Sequence, residues 1–124
     1  MKGIRFRVFY DNKLIPCEVT MDDYVHIFDE NDNKFFIVGC VGSRKSLLKN
    51  INVMQYTGLN DKNNKPIYEG DVVKMELYNK IIKGAVVFHK GSFVIETTDD
   101  FYFLTSPESL EIVGNIYNYK EEKN

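Results

Sequence analysis

The feature that most constrains this chain is an alternation of apolar and polar residues that restarts after each of many closely spaced turns. Residues 4–10 and 73–78 show it most clearly, with side chains of one kind at every second position. A period of two places alternate side chains on opposite faces of a β-strand. Short polar clusters such as Asp-Asn-Lys at 11–13 and His-Lys-Gly at 89–91 separate the runs. The sequence therefore predicts short antiparallel strands joined by tight turns.

The aromatic content agrees with this pattern. Nine Phe and eight Tyr in 124 residues suit half-buried pleated surfaces better than helices. The best helical candidate, residues 43–50, is hardly two turns long, so the helices that parallel strand crossovers require are missing. We predict a mainly β fold with little helix: a small β barrel or sandwich whose C-terminal portion is SH3-like.

The chain is long enough for one domain or for two small portions that share a core. We predict an N-terminal β portion at residues 1–50, an SH3-like barrel at 51–118 and a disordered tail at 119–124. In the second portion, a two-residue turn at Asn79 and Lys80 forms a hairpin. A single helical turn around Pro107 precedes a closing strand at 110–113. We expect the two portions to pack as one cooperative unit.

Charge and hydropathy argue against a global affinity for nucleic acid or membranes. Sixteen basic and eighteen acidic residues give a net charge of -2, so no overall field attracts polyanions. No apolar run approaches the roughly 18 residues of a membrane span, and the first residues lack the apolar core of a signal peptide. We expect a protein of the host cytoplasm in which Cys17 and Cys40 remain thiols.

Two patterns that resemble ligand sites are incomplete. Residues 39–46 are one residue short of a phosphate-binding loop, because Arg44 replaces the second glycine that shapes the backbone cradle. His26 and His89 each stand alone, without a second metal ligand at the usual spacing. The sequence predicts no metal and no cofactor.

Two arrangements of reactive side chains stay open on the sequence alone. Cys17 or Cys40 can act as a nucleophile if the fold brings His89 beside it. Glu69 and Asp71 share one side of a strand, as a pair of catalytic carboxylates would. A buried thiol and a turn-forming aspartate are the simpler interpretations, so we predict that the protein is not an enzyme and has no catalytic residues.

Residues 54–75, MQYTGLNDKNNKPIYEGDVVKM, resemble the signature of the YopX-like family of phage and prophage proteins. Members of that family carry a Gln-Tyr/Phe-Thr-Gly-Leu segment, an Asp-Lys-Asn-Gly-type turn, and Ile-Tyr-Glu-Gly-Asp before a strand. Residues 4–7 and 112–117 extend the resemblance more loosely. Asn64 departs from it, because a glycine is usual there, but asparagine tolerates the left-handed conformation and the turn should survive.

The resemblance implies a small, mainly β, intracellular protein encoded by a phage or prophage, with no established enzymatic activity to carry over. The residues of the motif agree with that implication. The segment 61–65 predicts a turn, Ile67 and Tyr68 predict packed positions, and Gly70 with Asp71 redirects the chain into a strand. Each of these roles is architectural.

We therefore favour an interaction or adaptor protein, with a small nucleic-acid-binding module in phage development as the alternative. Aromatic side chains on loops are typical contact residues of SH3-like barrels, although this is analogy. The candidate interaction surface comprises Gln55, Tyr56, Tyr68, Glu69, Asp71 and Tyr102. The alternative needs a set of cations to converge on one face, namely Arg5, Arg7, Arg44, Lys45 and Lys49.

The expected partner is a host or phage protein, and a second copy of the chain is a further candidate. Seventeen Phe and Tyr residues exceed what so small a core readily hides. Tyr102, with Phe101 and Phe103, predicts an edge strand that another copy can cover. In the alternative, the protein is a monomer whose two β portions bury these aromatics against each other.

Overall fold

A computed structural model describes residues 6–42 and 48–118, and this part of the chain is almost entirely β. It contains no α-helix, and therefore no helix of the length and apolar character needed to cross a membrane. The predicted helical segment falls largely at 43–47 and the predicted tail at 119–124, both outside the described residues. The prediction of a mainly β fold with little helix is confirmed. The strands are β1 (Phe6–Tyr10), β2 (Lys13–Val19), β3 (Tyr24–Asp29), β4 (Lys34–Cys40), β5 (Val53–Asn60), β6 (Pro66–Tyr68), β7 (Asp71–Leu77), β8 (Lys80–His89), β9 (Ser92–Glu96), β10 (Phe101–Phe103) and β11 (Leu110–Asn115).

The chain divides into two compact units, residues 1–56 and residues 57–124. The boundary lies inside β5, between Tyr56 and Thr57. The first residues of β5 pair with β1 in unit 1, and β6 lies beside β5. The domain limits at 50 and 51 that we drew from the sequence stay predictions, as does the cooperative behaviour of the two portions.

Unit 1 is an antiparallel sheet in the order β4-β3-β2-β1-β5. Its first turn is built by Asp11 and Asn12, whose φ angles of 55° and 61° suit a two-residue hairpin loop. Inward-facing residues of the strands form most of the core, as the alternation predicted, and Ile51, just before β5, completes it. The core of unit 1 consists of Val8, Cys17, Val25, Ile27 and Ile51.

Unit 2 contains a five-stranded antiparallel sheet in the order β10-β9-β8-β7-β11. Four strands follow one another as a meander. A 3-10 turn at Pro107–Ser109 then leads into β11, as predicted, and β11 pairs with β7. The described strands leave this sheet open between β10 and β11, so the SH3-like barrel stays a prediction. The core of unit 2 consists of Ile67, Val73, Met75, Ile82, Val86, Ile95 and Leu110.

The turn between β7 and β8 lies one residue earlier than predicted. Leu77 pairs with Lys80, so Tyr78 and Asn79 form the loop, and Tyr78 has a φ of 50°. In this register Met75 opposes Ile82 and both are buried. The predicted turn would place Ile82 opposite Leu77 and Met75 opposite Gly84, so these two buried side chains would no longer pair directly across the strands.

Candidate functional site

In the first part of the motif, a hydrogen bond from the side chain of Thr57 connects β5 to β6. The Thr57 hydroxyl donates a hydrogen bond to the carbonyl oxygen of Ile67 at 2.8 Å and accepts one from the Leu59 N–H at 3.2 Å. Gly58 between them has a φ of 89°, a conformation that residues with a side chain rarely adopt. The Thr-Gly-Leu element is therefore a structural bend.

The turn that follows is organised by the carboxylate of Asp61. Its Oδ1 atom accepts hydrogen bonds from the backbone N–H groups of Asn63 at 2.9 Å and Lys65 at 3.0 Å. The Asp61 N–H donates to the Lys65 carbonyl oxygen at 2.8 Å. Asn64 has a φ of 63°, so asparagine occupies the left-handed position in place of the usual glycine, as predicted.

The same carboxylate also reaches β11. Its Oδ2 atom accepts a hydrogen bond from the Ile112 N–H at 3.0 Å, and the neighbouring Lys62 N–H donates to the Leu110 carbonyl oxygen at 2.9 Å. Burial of Asp61 raises the pKa of its carboxyl group. The three backbone donors and the charge of Lys65 oppose burial, and the pKa lies below its usual value. Asp61 is therefore an ionised structural residue.

The end of the motif is a second turn held by a buried aspartate. Oδ2 of Asp71 accepts a hydrogen bond from the Tyr68 N–H at 2.8 Å, and both residues are buried. Gly70 has a φ of 84°. Its N–H donates to the Val86 carbonyl oxygen at 2.9 Å, and its own carbonyl oxygen accepts from Ile116 at 2.8 Å. This arrangement redirects the chain into β7.

The residues of the predicted interaction surface differ in their exposure. Three of them, Tyr68, Glu69 and Asp71, lie in the turn just described, whereas Tyr102 lies on β10 and the other two on β5. Tyr68 and Asp71 present little surface to a partner. The full set stays a prediction; Gln55 is exposed, Tyr56, Glu69 and Tyr102 are half-buried, and Tyr68 and Asp71 are buried.

The predicted nucleic-acid patch lies mostly outside the described residues, which do not include Arg5, Arg44 or Lys45. Arg7 is half-buried on β1, opposite Pro16 on one side. Lys49 is exposed, and its carbonyl oxygen accepts a hydrogen bond from the Cys40 N–H. Convergence of the five cations on one face stays a prediction.

Both cysteines are buried thiols. Burial raises the pKa of the Cys17 thiol to about 11, the opposite of what a nucleophilic cysteine requires. The sulfur of Cys40 lies 3.7 Å from the Asn50 side-chain oxygen and 3.9 Å from the Lys49 carbonyl oxygen. These positions agree with the simpler interpretation of both residues as packed side chains.

A small open cleft lies beside β7 and β11 in unit 2. Its volume is about 90 Å³, well below the roughly 300 Å³ at which small-molecule sites begin. Lys62 and Glu111 on its wall form an ion pair at 3.5 Å. Within the described parts of the chain, no three His, Cys, Asp or Glu side chains are grouped so as to hold a metal ion.

Phe101 and Phe103, which the sequence named only as neighbours of Tyr102 on an edge strand, form a surface feature together with His89. On the outer face of β8, β9 and β10, the His89 and Phe101 rings stack with their centroids 4.1 Å apart and their planes 9° from parallel. Val94 lies on this face of β9, between the two ring-bearing strands, and is only 3% exposed. Phe103 is 72% exposed beside it. We call His89, Phe101 and Phe103 the aromatic face.

The sequence pointed to Tyr102, but Tyr102 pairs with Ile95 and packs against the core of unit 2. Its neighbours Phe101 and Phe103 face the opposite way, because successive side chains of a strand alternate. The alternation along this strand could therefore have predicted that Phe101 and Phe103 are exposed when Tyr102 is packed. The contribution of His89 was not predictable, since its ring reaches Phe101 across the intervening strand β9.

Comparison with known proteins agrees with the motif. The model of the family described as YopX protein matches residues 5–121, nearly the whole chain. No curated protein matches the chain. The matched region includes the threonine bend, the Asp61 turn and the Asp71 turn, which together form the structural frame described above. The chain belongs to the YopX protein family.

Proposed function

We propose that this protein is a non-enzymatic interaction protein that serves as an adaptor during phage development inside the host cell. The observation that carries the proposal is the aromatic face of unit 2, where Phe103 is 72% exposed at the edge of a sheet. Membership of the YopX family supports the link to phages.

The hydrogen bonds made by the polar side chains of the motif support a non-catalytic role. Asp61 accepts three backbone hydrogen bonds, Asp71 accepts one from Tyr68, and Thr57 bonds to Ile67 and Leu59. A general base or nucleophile needs a lone pair or proton directed at a substrate. These side chains instead fix the conformation of the backbone.

The aromatic face has the composition of a protein-binding surface. Aromatic side chains are enriched in the buried centres of interfaces, because they supply a large apolar area at a low cost in conformational entropy. Phe101 and Phe103 lie on β10, a strand at the edge of its sheet. An SH3-like closure of unit 2, which we retain as part of the proposal, is compatible with this use by analogy alone.

The rim of the aromatic face is acidic beside Phe101, whereas the exposed Lys90 follows His89. Glu96 lies directly opposite Phe101, and Asp99 and Asp100 precede it on an exposed turn. The Thr97 hydroxyl holds that turn by accepting hydrogen bonds from the Asp99 and Asp100 N–H groups at 3.2 and 3.1 Å. An acidic rim favours a partner that carries an apolar side chain flanked by cations, and it repels the phosphates of nucleic acid.

The test is affinity capture of the tagged full-length chain from phage-infected host cells, with mass spectrometry and nucleic-acid sequencing of what is recovered. We expect one protein at near-stoichiometric yield with the unaltered chain and a loss of at least tenfold with Phe103→Asp. Tyr78→Asp is the matched control, since Tyr78 is 92% exposed on a turn of the same unit. Circular dichroism checks that both variants fold.

Two results would overturn the proposal. In the first, Phe103→Asp and Tyr78→Asp recover the same partner at the same yield as the unaltered chain. In the second, DNA or RNA is recovered in a salt-sensitive manner and no protein accompanies it, which favours the nucleic-acid-binding alternative.

A further inference from the structure

The most apolar exposed segment of unit 1 lies on β4. The four residues 34–37 are all exposed, and the three apolar ones, Phe35, Phe36 and Ile37, are 41% to 50% exposed. A strand with one buried face alternates between buried and more exposed residues. The adjacent β3 does so, since the half-buried His26 lies between the buried Val25 and Ile27. This part of β4 therefore presents apolar side chains to solvent on both of its faces.

The strand is also the edge of its sheet. β4 pairs with β3 on one side only. On the other side, Lys49 and Ile51 bond to the backbone of Cys40 at 3.1 and 2.9 Å and cover the end of the strand. Within the described residues, no strand pairs with that side between Lys34 and Gly39.

Few of the usual protections against pairing are present along this edge. Proteins protect edges with charged residues, prolines or bulges. Lys34 is charged, but it stands at the start of the strand, and the register shift opposite Val25 and His26 falls after Ile37. The stretch 35–37 is regular and apolar, which is typical of an edge that another strand covers.

We infer that this edge of β4 pairs in antiparallel fashion with β4 of a second copy of the chain, so that a two-fold axis relates the copies. A strand paired antiparallel with its own copy is self-complementary, since residue i meets residue j and j meets i. The pairing is separate from the aromatic face and does not depend on the function proposed for that face.

The charges at the two ends of β4 favour a second copy of the chain as its partner, and they favour antiparallel over parallel pairing. Glu30 and Asp32 lie exposed in the turn before β4, and Lys49 lies exposed beside its far end. Antiparallel pairing over residues 34–39 brings Asp32 of one copy towards Lys49 of the other. Parallel pairing would bring the acidic turns of the two copies together.

The interface of such a dimer is small, because each copy contributes one short strand and a few side chains. It falls in the class of less than about 1,200 Å² of total buried area that is typical of weak complexes. We therefore expect a dissociation constant on the order of 10 µM, with monomer below that concentration and dimer above it.

Sedimentation velocity of the full chain from about 1 to 300 µM, a range that brackets this dissociation constant, tests the inference. We expect the mass to rise from one chain to two, and we expect Ile37→Lys to weaken association at least tenfold. Ile37 is exposed, so the substitution should leave the circular dichroism and the urea midpoint unchanged. Phe103→Asp on β10 is the matched control and should dimerise like the unaltered chain.

A charge exchange tests the direction of pairing. Asp32→Lys and Lys49→Asp should each weaken the dimer several-fold, and the double variant should restore it. A chain that stays monomeric at 300 µM overturns the inference. So does a dimer that Phe103→Asp dissociates and Ile37→Lys does not, since that places self-association on β10. Failure of the double variant to restore association excludes the antiparallel arrangement.

Discussion

Asp61 shows how one side chain organises two distant parts of unit 2. Its carboxylate closes the turn at residues 61–65 and also holds β11 through Ile112. Such charge-assisted bonds are stronger than neutral ones. An amide in the same place offers only one acceptor oxygen and directs an N–H donor at a backbone donor.

We predict that Asp61→Asn lowers the free energy of unfolding by about 2 to 3 kcal/mol, because at least one buried donor loses its acceptor. Urea denaturation followed by circular dichroism measures the loss. Asp99→Asn is the control, since Asp99 is exposed on a turn of the same unit, and it should change stability by less than about 0.5 kcal/mol. Equal effects of the two substitutions would contradict the role assigned to Asp61.

The lowered pKa of Asp61 predicts that the folded protein loses stability as the pH falls into the acid range. The unfolded carboxyl group titrates near its ordinary value of 3.8, and the folded group titrates below it. Its contribution is therefore fully present above that value and is lost as the pH falls through the folded pKa. Between pH 5 and pH 2, the unaltered chain should lose more stability than Asp61→Asn does. If the free energy of unfolding, measured by urea denaturation, falls equally in the two chains over that pH range, the role assigned to Asp61 is wrong.

The raised pKa of the Cys17 thiol predicts that stability falls at high pH. Its thiol titrates near 9.0 in the unfolded chain and at about 11 in the folded one. The stability that the protonated thiol contributes is present below pH 9 and falls as the pH rises towards 11. Cys17→Ala should remove this fall. At pH 8 the native thiol should react with iodoacetamide roughly a hundredfold more slowly than the thiol in urea, as measured by mass spectrometry of the labelled peptide.

At the scale of elements, the pairing of β8 with β9 depends on a glycine. A side-chain carbon added at Gly84 would lie 2.1 Å from the carbonyl oxygen of Glu96 and 2.9 Å from its carbonyl carbon. These are backbone atoms of the neighbouring strand, so they cannot move aside without breaking the register of Ala85 with Glu96. The two strands approach each other closely because this position has no side chain.

Gly84→Ala should therefore destabilise the protein by more than about 2 kcal/mol, as overpacking against a fixed backbone does. Gly58→Ala provides the comparison. Gly58 has a φ of 89° with nothing within 4 Å of an added carbon, so the cost there is backbone strain of about 1 to 2 kcal/mol. Urea midpoints rank the two variants, and a smaller loss for Gly84→Ala would contradict the close approach of β8 and β9.

The elements were largely predictable from the sequence, whereas the contacts between them were not. Alternation and turn residues identified the strands other than β5 and β6, and the helical turn before β11, because these depend on local conformation. The left-handed Asn64 followed from the resemblance to the family turn. The position of the β7–β8 turn depends on which side chains of the two strands lie opposite each other. The bond from Asp61 to Ile112 and the stacking of His89 on Phe101 join residues that no local pattern connects.

For the molecule as a whole, β5 is the element common to both units, since the boundary lies within it. We predict that the chain unfolds in one transition. Val8→Ala in the core of unit 1 and Val73→Ala in that of unit 2 should each lower the midpoint of that same transition, which corresponds to a loss of roughly 2 kcal/mol in the free energy of unfolding. Two separate urea transitions, each shifted by only one of the substitutions, would show that the units unfold independently.

The bond between Asp61 and Ile112 spans 51 residues, and this separation matters while the chain is being made. Until the ribosome has released β11, the Asp61 carboxylate lacks one of its three backbone donors and the buried Leu110 is missing from the core of unit 2. Contacts of such sequence separation form slowly, since a long loop must close first. Translation that stops before residue 110 should thus yield a chain that proteases remove, because β11 completes the Asp61 turn of the motif.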